Sequence, residues 1–318
     1  MVNKNRIEIS EFLGKIDLFI CSSGFEERSV LLGTSLTSSN IEDSIVFQMD
    51  DTYKASHDNL DRIKANLKNL KEAIYPKNDS INTFDIIFTT LASQIDPRSR
   101  KNVVIDITTF TREVMLILIK ILSLDEFRKA FSVKLVYTPA ESYPNEWLTK
   151  GIRQIRSVFG YSGMTSPSKK LLLVILNGFE TERTEEIIDA FESDMIILGK
   201  PSVSESINKE LGSIASNKFD YIQNKYESIT LDNFEFSCKD VHKTKEVLNG
   251  LVDKYQDDYN IVISPLNNKI STLGAALVSL DNEVVKICYA SANQYNINNY
   301  SKGSDYFMIY DLEKLLTH

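Results

Sequence analysis

The chain alternates short, almost wholly apolar runs with longer stretches in which apolar residues recur every three or four positions. Residues 16–22, 45–49, 102–107 and 133–138 are runs of the first kind, and 171–176, 195–198, 260–264 and 284–290 repeat the theme further on. They are the length of strands, and polar or small residues close them. Apolar runs without alternation are covered on both faces, the mark of a parallel sheet between layers of helix. Residues 26–36, 57–74, 111–124, 185–191, 204–226, 241–255 and 270–280 carry the helical spacing. In 57–74 it is clearest: Leu60, Ile63, Leu67, Leu70 and Ile74 form one stripe among Lys, Asn and Asp. Residues 143–163 read as a connector, 291–304 as a loop, 306–310 as a closing strand and 311–316 as a short last helix.

The two series of elements share wording as well as pattern. Phe19-Ile-Cys-Ser-Ser-Gly-Phe-Glu-Glu-Arg28 returns as Val174-Ile-Leu-Asn-Gly-Phe-Glu-Thr-Glu-Arg183, with Gly178 lying 154 positions after Gly24. The strand ending at Asp106 returns 158 positions on at Ser264, and Val133-Lys-Leu-Val-Tyr137 returns 152 positions on as Val285-Lys-Ile-Cys-Tyr289. Each of those tyrosines is followed six residues later by another, Tyr143 and Tyr295. Landmarks in one order at nearly constant offset predict an internal duplication. The expected fold is α/β: two tandem Rossmann-like domains, each a mostly parallel sheet covered by helices. The expected boundaries are 1–150 for the first domain, 151–169 for a connector and 170–318 for the second.

With 318 residues and 42% hydrophobic content, the chain can build two such cores. The net charge of −8 excludes an extended nucleic-acid surface and general adhesion to anionic membranes, while leaving room for a local anion pocket. No apolar run reaches the ~18–20 residues that span a bilayer, and the start of the chain is polar, so a soluble, cytoplasmic protein is expected. Cys21, Cys238 and Cys288 fit neither a disulfide framework nor zinc spacing and read as structural thiols. His57, His242 and His318 are isolated. No phosphate-loop, dinucleotide-binding or nucleophile-elbow motif is present. No metal or cofactor is called for.

Candidate chemistry gathers at strand ends, where α/β proteins bind ligands and where the amides of the next helix meet anions. In the first such turn, Ser22, Ser23 and Gly24 are small enough for close approach. Glu26 or Glu27 can accept from hydroxyls, and Arg28 offers a bidentate fork. Gly178, Glu180 and Arg183 form the second copy. A packing role for the repeated Gly-Phe-Glu, with Phe25 and Phe179 as core plugs, is the competing reading. In the second turn Asp106 is followed by Thr108, Thr109, Thr111 and Arg112, and its counterpart holds Ser264, Asn267, Asn268 and Lys269. These residues suit a phosphate or a ligand hydroxyl, and equally an N-capping cluster. Tyr137, Glu141 and Tyr143 follow the next strand, where a tyrosine face can stack on a base or pack over the sheet edge.

The run Asp106-x-Thr-x-x-Thr-Arg112, on a strand-to-helix turn, resembles the Asp-x-Thr-Gly-Gly-Thr-Lys turn of CARF domains. Those are Rossmann-like sensors of cyclic oligonucleotides in prokaryotic antiviral defence. Pro265-Leu-Asn-Asn-Lys269 resembles a looser form of it. In this chain Thr109 and Phe110 stand where that family has two glycines, and Arg112 where it has lysine. The resemblance implies a nucleotide-type ligand, and a sensor or accessory component that works with a partner protein of a defence operon. Two alternatives remain on the same residues. One is a nucleoside- or nucleotide-processing enzyme (N-glycosidase, deoxyribosyltransferase or cyclic-nucleotide phosphodiesterase) using Glu26, Glu27 or Asp106. The other is a non-catalytic scaffold subunit.

Overall fold

In the computed structural model, which describes residues 1–50, 53–144 and 147–317, the chain forms two α/β units. The first opens with β1 (Val2–Asn5), α1 (Ile9–Leu13), β2 (Ile16–Ser23), α2 (Arg28–Ser35), β3 (Ile41–Met49), α3 (Lys54–Asn66) and β4 (Leu70–Tyr75). It continues with α4 (Ser80–Ala92), β5 (Lys101–Asp106), α5 (Arg112–Leu122), α6 (Asp125–Ala130), β6 (Phe131–Tyr137) and β7 (Ala140–Ser142). The second comprises β8 (Thr149–Ser157), β9 (Lys170–Leu176), α7 (Thr181–Phe191), β10 (Met195–Pro201), α8 (Lys209–Lys225) and β11 (Thr230–Phe236). Then come α9 (Val241–Tyr255), β12 (Tyr259–Pro265), α10 (Lys269–Asp281) and β13 (Lys286–Tyr295). The chain then returns to the first unit with β14 (Lys302–Gly303), β15 (Tyr306–Asp311) and α11 (Leu312–Thr317).

The sheet orders carry the duplication. The first runs β1-β15-β6-β5-β2-β3-β4, the second β8-β13-β12-β9-β10-β11. Apart from β1 they are one arrangement: five parallel strands in the order fifth, fourth, first, second, third, with an antiparallel strand beside the fifth. The registers agree too. Ile105 pairs with Leu135, and Tyr137 with Met308. In the other sheet Ile263 pairs with Ile287, and Tyr289 with Arg156. Arg156 and Met308 are 152 positions apart, the offset that also separates Tyr137 from Tyr289.

The antiparallel strands are exchanged. β8 follows the first unit's fifth strand in sequence but pairs with β13, and β15 follows the second unit's fifth strand but pairs with β6. The clean boundary expected at 151–169 therefore gives way to units Met1–Tyr143 with Ile297–His318, and Pro144–Asn296. The physical reason is side-chain burial. Phe307 and Ile309 of β15 join the first unit's core with Phe19, Cys21, Leu32, Val104 and Val136. The second core gathers Leu173, Ile175, Ile187, Leu198, Phe219, Val262 and Cys288.

Other expectations are corrected locally. The helical stripe 57–74 is two elements: α3 stops at Asn66 and β4 begins at Leu70. Asn69 between them has φ +49°, a left-handed conformation that ends a helix and that Asn tolerates. Leu67 is buried, but Ile74 is 58% exposed on an edge strand. The helix α4 and the strands β8 and β11 fall in stretches for which no element was expected, and part of the expected loop 291–304 is strand. Phe25 and Phe179, core plugs on the competing reading, are only half-buried.

Candidate functional site

In the first unit the chain winds from β2 outward through β3 to β4, then returns to β5 and winds the other way. The reversal lies between β2 and β5, and the carboxyl ends of such a pair of strands are where open α/β sheets bind ligands. Ser23 is the last residue of β2, Asp106 the last of β5, and Thr138 the first after β6. All three are buried, and Ser23 Oγ, Asp106 Oδ2 and Thr138 Oγ1 each lack a hydrogen-bond partner. Buried polar atoms are nearly always partnered, so three orphans on three adjacent strand ends single these residues out as the candidate site.

Asp106 is the acidic centre. Its Oδ1 accepts from the Thr108 amide at 3.0 Å. Burial pushes its carboxyl up to about 6, against the opposing pull of Thr108 and of the Arg28 charge. The following hydroxyls serve the turn itself. Thr108 Oγ1 accepts from the Thr138 amide (2.9 Å), Thr109 Oγ1 donates to the Ser22 carbonyl (2.9 Å), and Thr111 caps α5 by accepting from the Val114 amide (3.2 Å). Phe110 is buried against Phe47. Half-buried Arg112 opens α5 and acts electrostatically on Tyr137 and Tyr143. Burial raises both tyrosines, and Arg28 opposes the shift.

The Gly-Phe-Glu turn is shaped by its neighbours. A Cβ on Gly24 would stand 3.0 Å from Thr109 Cβ, a tight contact where the two strand-end turns meet. Asn59 of α3 donates to the Gly24 and Glu26 carbonyls (2.8 and 3.1 Å). The amides of Ser29 and Val30 are taken by the Glu26 and Glu27 carbonyls, so the first turn of α2 is engaged within the loop. Exposed Glu27 makes a two-pronged ion pair with Arg62 at 2.6 and 2.7 Å. Ser22 is buried in the strand.

Arg28, whose fork was expected to meet a ligand, is buried. Its Nε and Nη2 donate to Glu26 Oε2 at 2.9 and 2.6 Å, and its Nη1 donates to the Thr138 carbonyl at 3.0 Å. Burial works against its charge, but Glu26 outweighs burial and raises it above the ordinary arginine value. Glu26 also accepts from Ser301 Oγ at 2.5 Å. Glu141 lies outside this cluster, exposed and paired with Lys302 at 2.8 Å.

The second unit repeats this chain of contacts. Glu180 accepts from Arg183 (3.3 Å) and from the Thr149 hydroxyl, and Arg183 donates to the Ala290 carbonyl. Thr149 and Ser301, like Ala290 and Thr138, are 152 positions apart. Arg183 also lies over the Tyr289 ring, 5.8 Å from its centre. Gly178 again permits a close approach, since a Cβ there would come 2.4 Å from the Leu266 carbonyl oxygen. Asn267 donates to the Asn177 carbonyl (2.7 Å). Asn268 caps α10 and donates to the Cys238 carbonyl (2.7 Å), and half-buried Lys269 opens that helix. Where the first unit has Asp106, the second has buried Ser264, which carries no charge.

The structure thus gathers Ser23, Glu26, Arg28, Asp106, Thr108, Arg112, Tyr137 and Tyr143 at one end of the first sheet. It leaves Glu27 and Glu141 at the surface. Sequence reading missed Ser301 and Thr149, although Ser301-Lys302-Gly303 repeats Thr149-Lys150-Gly151 at the offset already seen for the tyrosines. All three thiols are buried. Burial pushes Cys21 well above its ordinary value, Cys288 to about 11 and Cys238 to about 12, as befits structural positions. His57 Nδ1 lies 3.3 Å from the side-chain nitrogen of Gln48, the register partner of Ser23; His242 is in the first turn of α9, and His318 lies outside the described residues. Among the described residues no helix is long and apolar enough to cross a membrane.

No protein-family model matches the chain, and no curated protein matches it. Among solved structures it is similar to a periplasmic ribose ABC transporter protein from Conexibacter woesei DSM 14684, at 10% identity and a TM-score of 0.25, covering 85% of this chain and 70% of that one. It is also similar to the NADP-bound N-domain of a bacterial malonyl-CoA reductase, at 9% identity and a TM-score of 0.24, covering 88% and 80%. The shared strand order of the two sheets, rather than either likeness, makes this chain a duplicated α/β protein of parallel, helix-covered sheets.

Proposed function

We propose that the first unit binds a small nucleotide-type ligand at the carboxyl ends of β2, β5 and β6, and that the protein is a sensor or accessory component of a bacterial antiviral defence system. The observation that carries ligand binding is the buried Asp106 carboxyl with its unpartnered Oδ2, beside the orphan hydroxyls of Ser23 and Thr138. A ligand bearing hydrogen-bond donors relieves the penalty of those orphans. Two arginines and two tyrosines around the carboxyl suit a ligand with phosphate and base. The cyclic-oligonucleotide class, the defence setting and a partner protein rest on the likeness of the Asp106–Arg112 turn to CARF domains.

One observation favours a second reading on the same residues. A carboxyl pushed up to about 6 exchanges its proton near neutral pH, as a general acid or base must, which suits a nucleoside- or nucleotide-processing enzyme. One experiment separates the two. The wild type and Asp106→Asn are melted with mononucleotides, dinucleotides and cyclic oligonucleotides, and the mixtures are then analysed for products. A ligand at 100 times its dissociation constant adds about 2.7 kcal/mol of stability. The sensor reading expects that gain in the wild type, its loss in Asp106→Asn and unchanged nucleotide. The enzyme reading expects product from the wild type alone. A gain of equal size in both proteins removes Asp106 from the site.

A further inference from the structure

Residues 300–304 belong by sequence to the second repeat, yet they lie on the first unit's site. The Tyr300 ring meets Phe25 edge-on at 5.2 Å, Ser301 donates to Glu26, and the Ser304 amide donates to the Pro139 carbonyl at 3.0 Å. Gly303 is pressed against the layer below: a Cβ there would come 2.8 Å from Leu31 Cδ1 and 2.9 Å from Arg28 Cγ. The Arg28 charge acts in turn on Asp106, whose Oδ2 has no partner and which is 2% exposed. A ligand reaching Asp106 must displace something, and this segment is thinly held. Its only strand is the two-residue β14, paired with β7, and residues 297–299 leading into it are exposed. The counterpart in the second unit is built differently. Thr149, Lys150 and Gly151 open the nine-residue β8, paired along its length with β13, and the position equivalent to Asp106 is Ser264. A weakly anchored segment and a buried acid occur together only in the first unit.

We propose that residues 300–304 are a strap that gates the Asp106 site, latched by the hydrogen-bonded series Ser301–Glu26–Arg28, and that a ligand on Asp106 is held beneath the closed strap. The gating of a ligand rests on the reading of Asp106 given above; the latch does not.

Each segment carries a Lys-Gly bond with an exposed lysine, after Lys302 and after Lys150, which makes limited trypsin digestion a reporter with an internal control. Cleavage of a bond that must first open follows the population of the open form. Ser301→Ala removes a hydrogen bond to a charged group. It is expected to speed cleavage after Lys302 at least about tenfold, equivalent to about 1.4 kcal/mol, with cleavage after Lys150 unchanged. Gly303→Ala, which forces the strap off Arg28, should do the same and should speed hydrogen exchange of the Ser304 amide. Thr149→Ala should leave both bonds as they were. Unaltered cleavage after Lys302 in the two strap variants overturns the latch, and so does equal acceleration at Lys150, which signals general loosening. The ligand arm uses any nucleotide that raises the wild-type melting temperature. It should slow cleavage after Lys302 in the wild type and not in Asp106→Asn. Stabilisation without that protection overturns gating and leaves the Asp106 site standing. If no nucleotide stabilises the protein, the ligand reading and its gating fall, and the latch is judged on the digestion of Ser301→Ala and Gly303→Ala.

Discussion

Asp106 is a buried acid that the fold tolerates rather than needs. Its ordinary carboxyl value is 3.8, and burial raises it to about 6 in the folded protein. Below about pH 4 the group is protonated whether the chain is folded or not, and it takes nothing from stability. Between about pH 4 and 6 the unfolded chain has lost a proton that the folded form still holds, so stability falls as pH rises. The loss levels off above that, at about 3 kcal/mol for a shift of this size. Asp106→Asn keeps the acceptor for the Thr108 amide and cannot ionise. It should match the wild type at pH 4 and exceed it by about 2–3 kcal/mol at pH 8, read as the difference between denaturant melts of the two proteins. Parallel pH profiles would show that Asp106 is solvated. Sequence picked out this residue because an Asp at the end of an apolar strand is conspicuous. It also picked out Arg28, but not its surroundings. Nothing in Gly-Phe-Glu-Glu-Arg tells that the guanidinium folds back onto Glu26 and under the carbonyl of Thr138, because that carbonyl arrives from 110 residues away.

Elements were legible where local pattern and burial agree. The strands β2, β5, β9 and β12 have buried apolar centres, and their reading from sequence needs little adjustment. Reading failed where two elements fell by chance on one periodicity. Leu60 and Ile63 belong to α3, Leu67 follows it, and Leu70 and Ile74 are in β4; their three- and four-residue spacing imitates one helix across the turn at Asn69. The two structures make different claims about side chains. A single helix buries Leu67 and Ile74 together, whereas the strand alternates, turning Ala73 and Tyr75 inward and Ile74 to solvent. Leu67→Ala should therefore cost about 2–5 kcal/mol as a core cavity, while Ile74→Ala stays within about 0.5 kcal/mol. Comparable losses at both positions in chemical denaturation would restore the helix. β8 escaped notice for another reason: as an edge strand rich in Lys, Arg, Gln and Thr, it lacks the apolar run that marked its partners.

At the scale of the molecule, repetition in sequence announced two copies of one sheet but not which copy receives each final strand. Tandem and exchanged arrangements bury the same strand types against equivalent fifth strands, so local pattern cannot choose between them. Long-range pairing does: β15 completes the first sheet between β6 and β1, and β8 completes the second beside β13. The two arrangements respond oppositely to loss of the chain from residue 297 onward. In a tandem protein that deletion strips the second domain of its edge strand and spares the first. In the exchanged protein it removes Phe307 and Ile309 from the first unit's core and leaves β6 with one neighbouring strand. A chain ending at Asn296 should accordingly lose hydrogen-exchange protection through β2, β5 and β6 and keep it through β9, β12 and β13. Burial sets the scale of the effect: two large apolar side chains withdrawn from one core cost several kcal/mol, comparable with the whole stability of an ordinary domain. Protection lost from the second sheet and kept in the first would mean that the final strands are not exchanged. In that case residues 300–304 would no longer lie against Glu26 and Arg28.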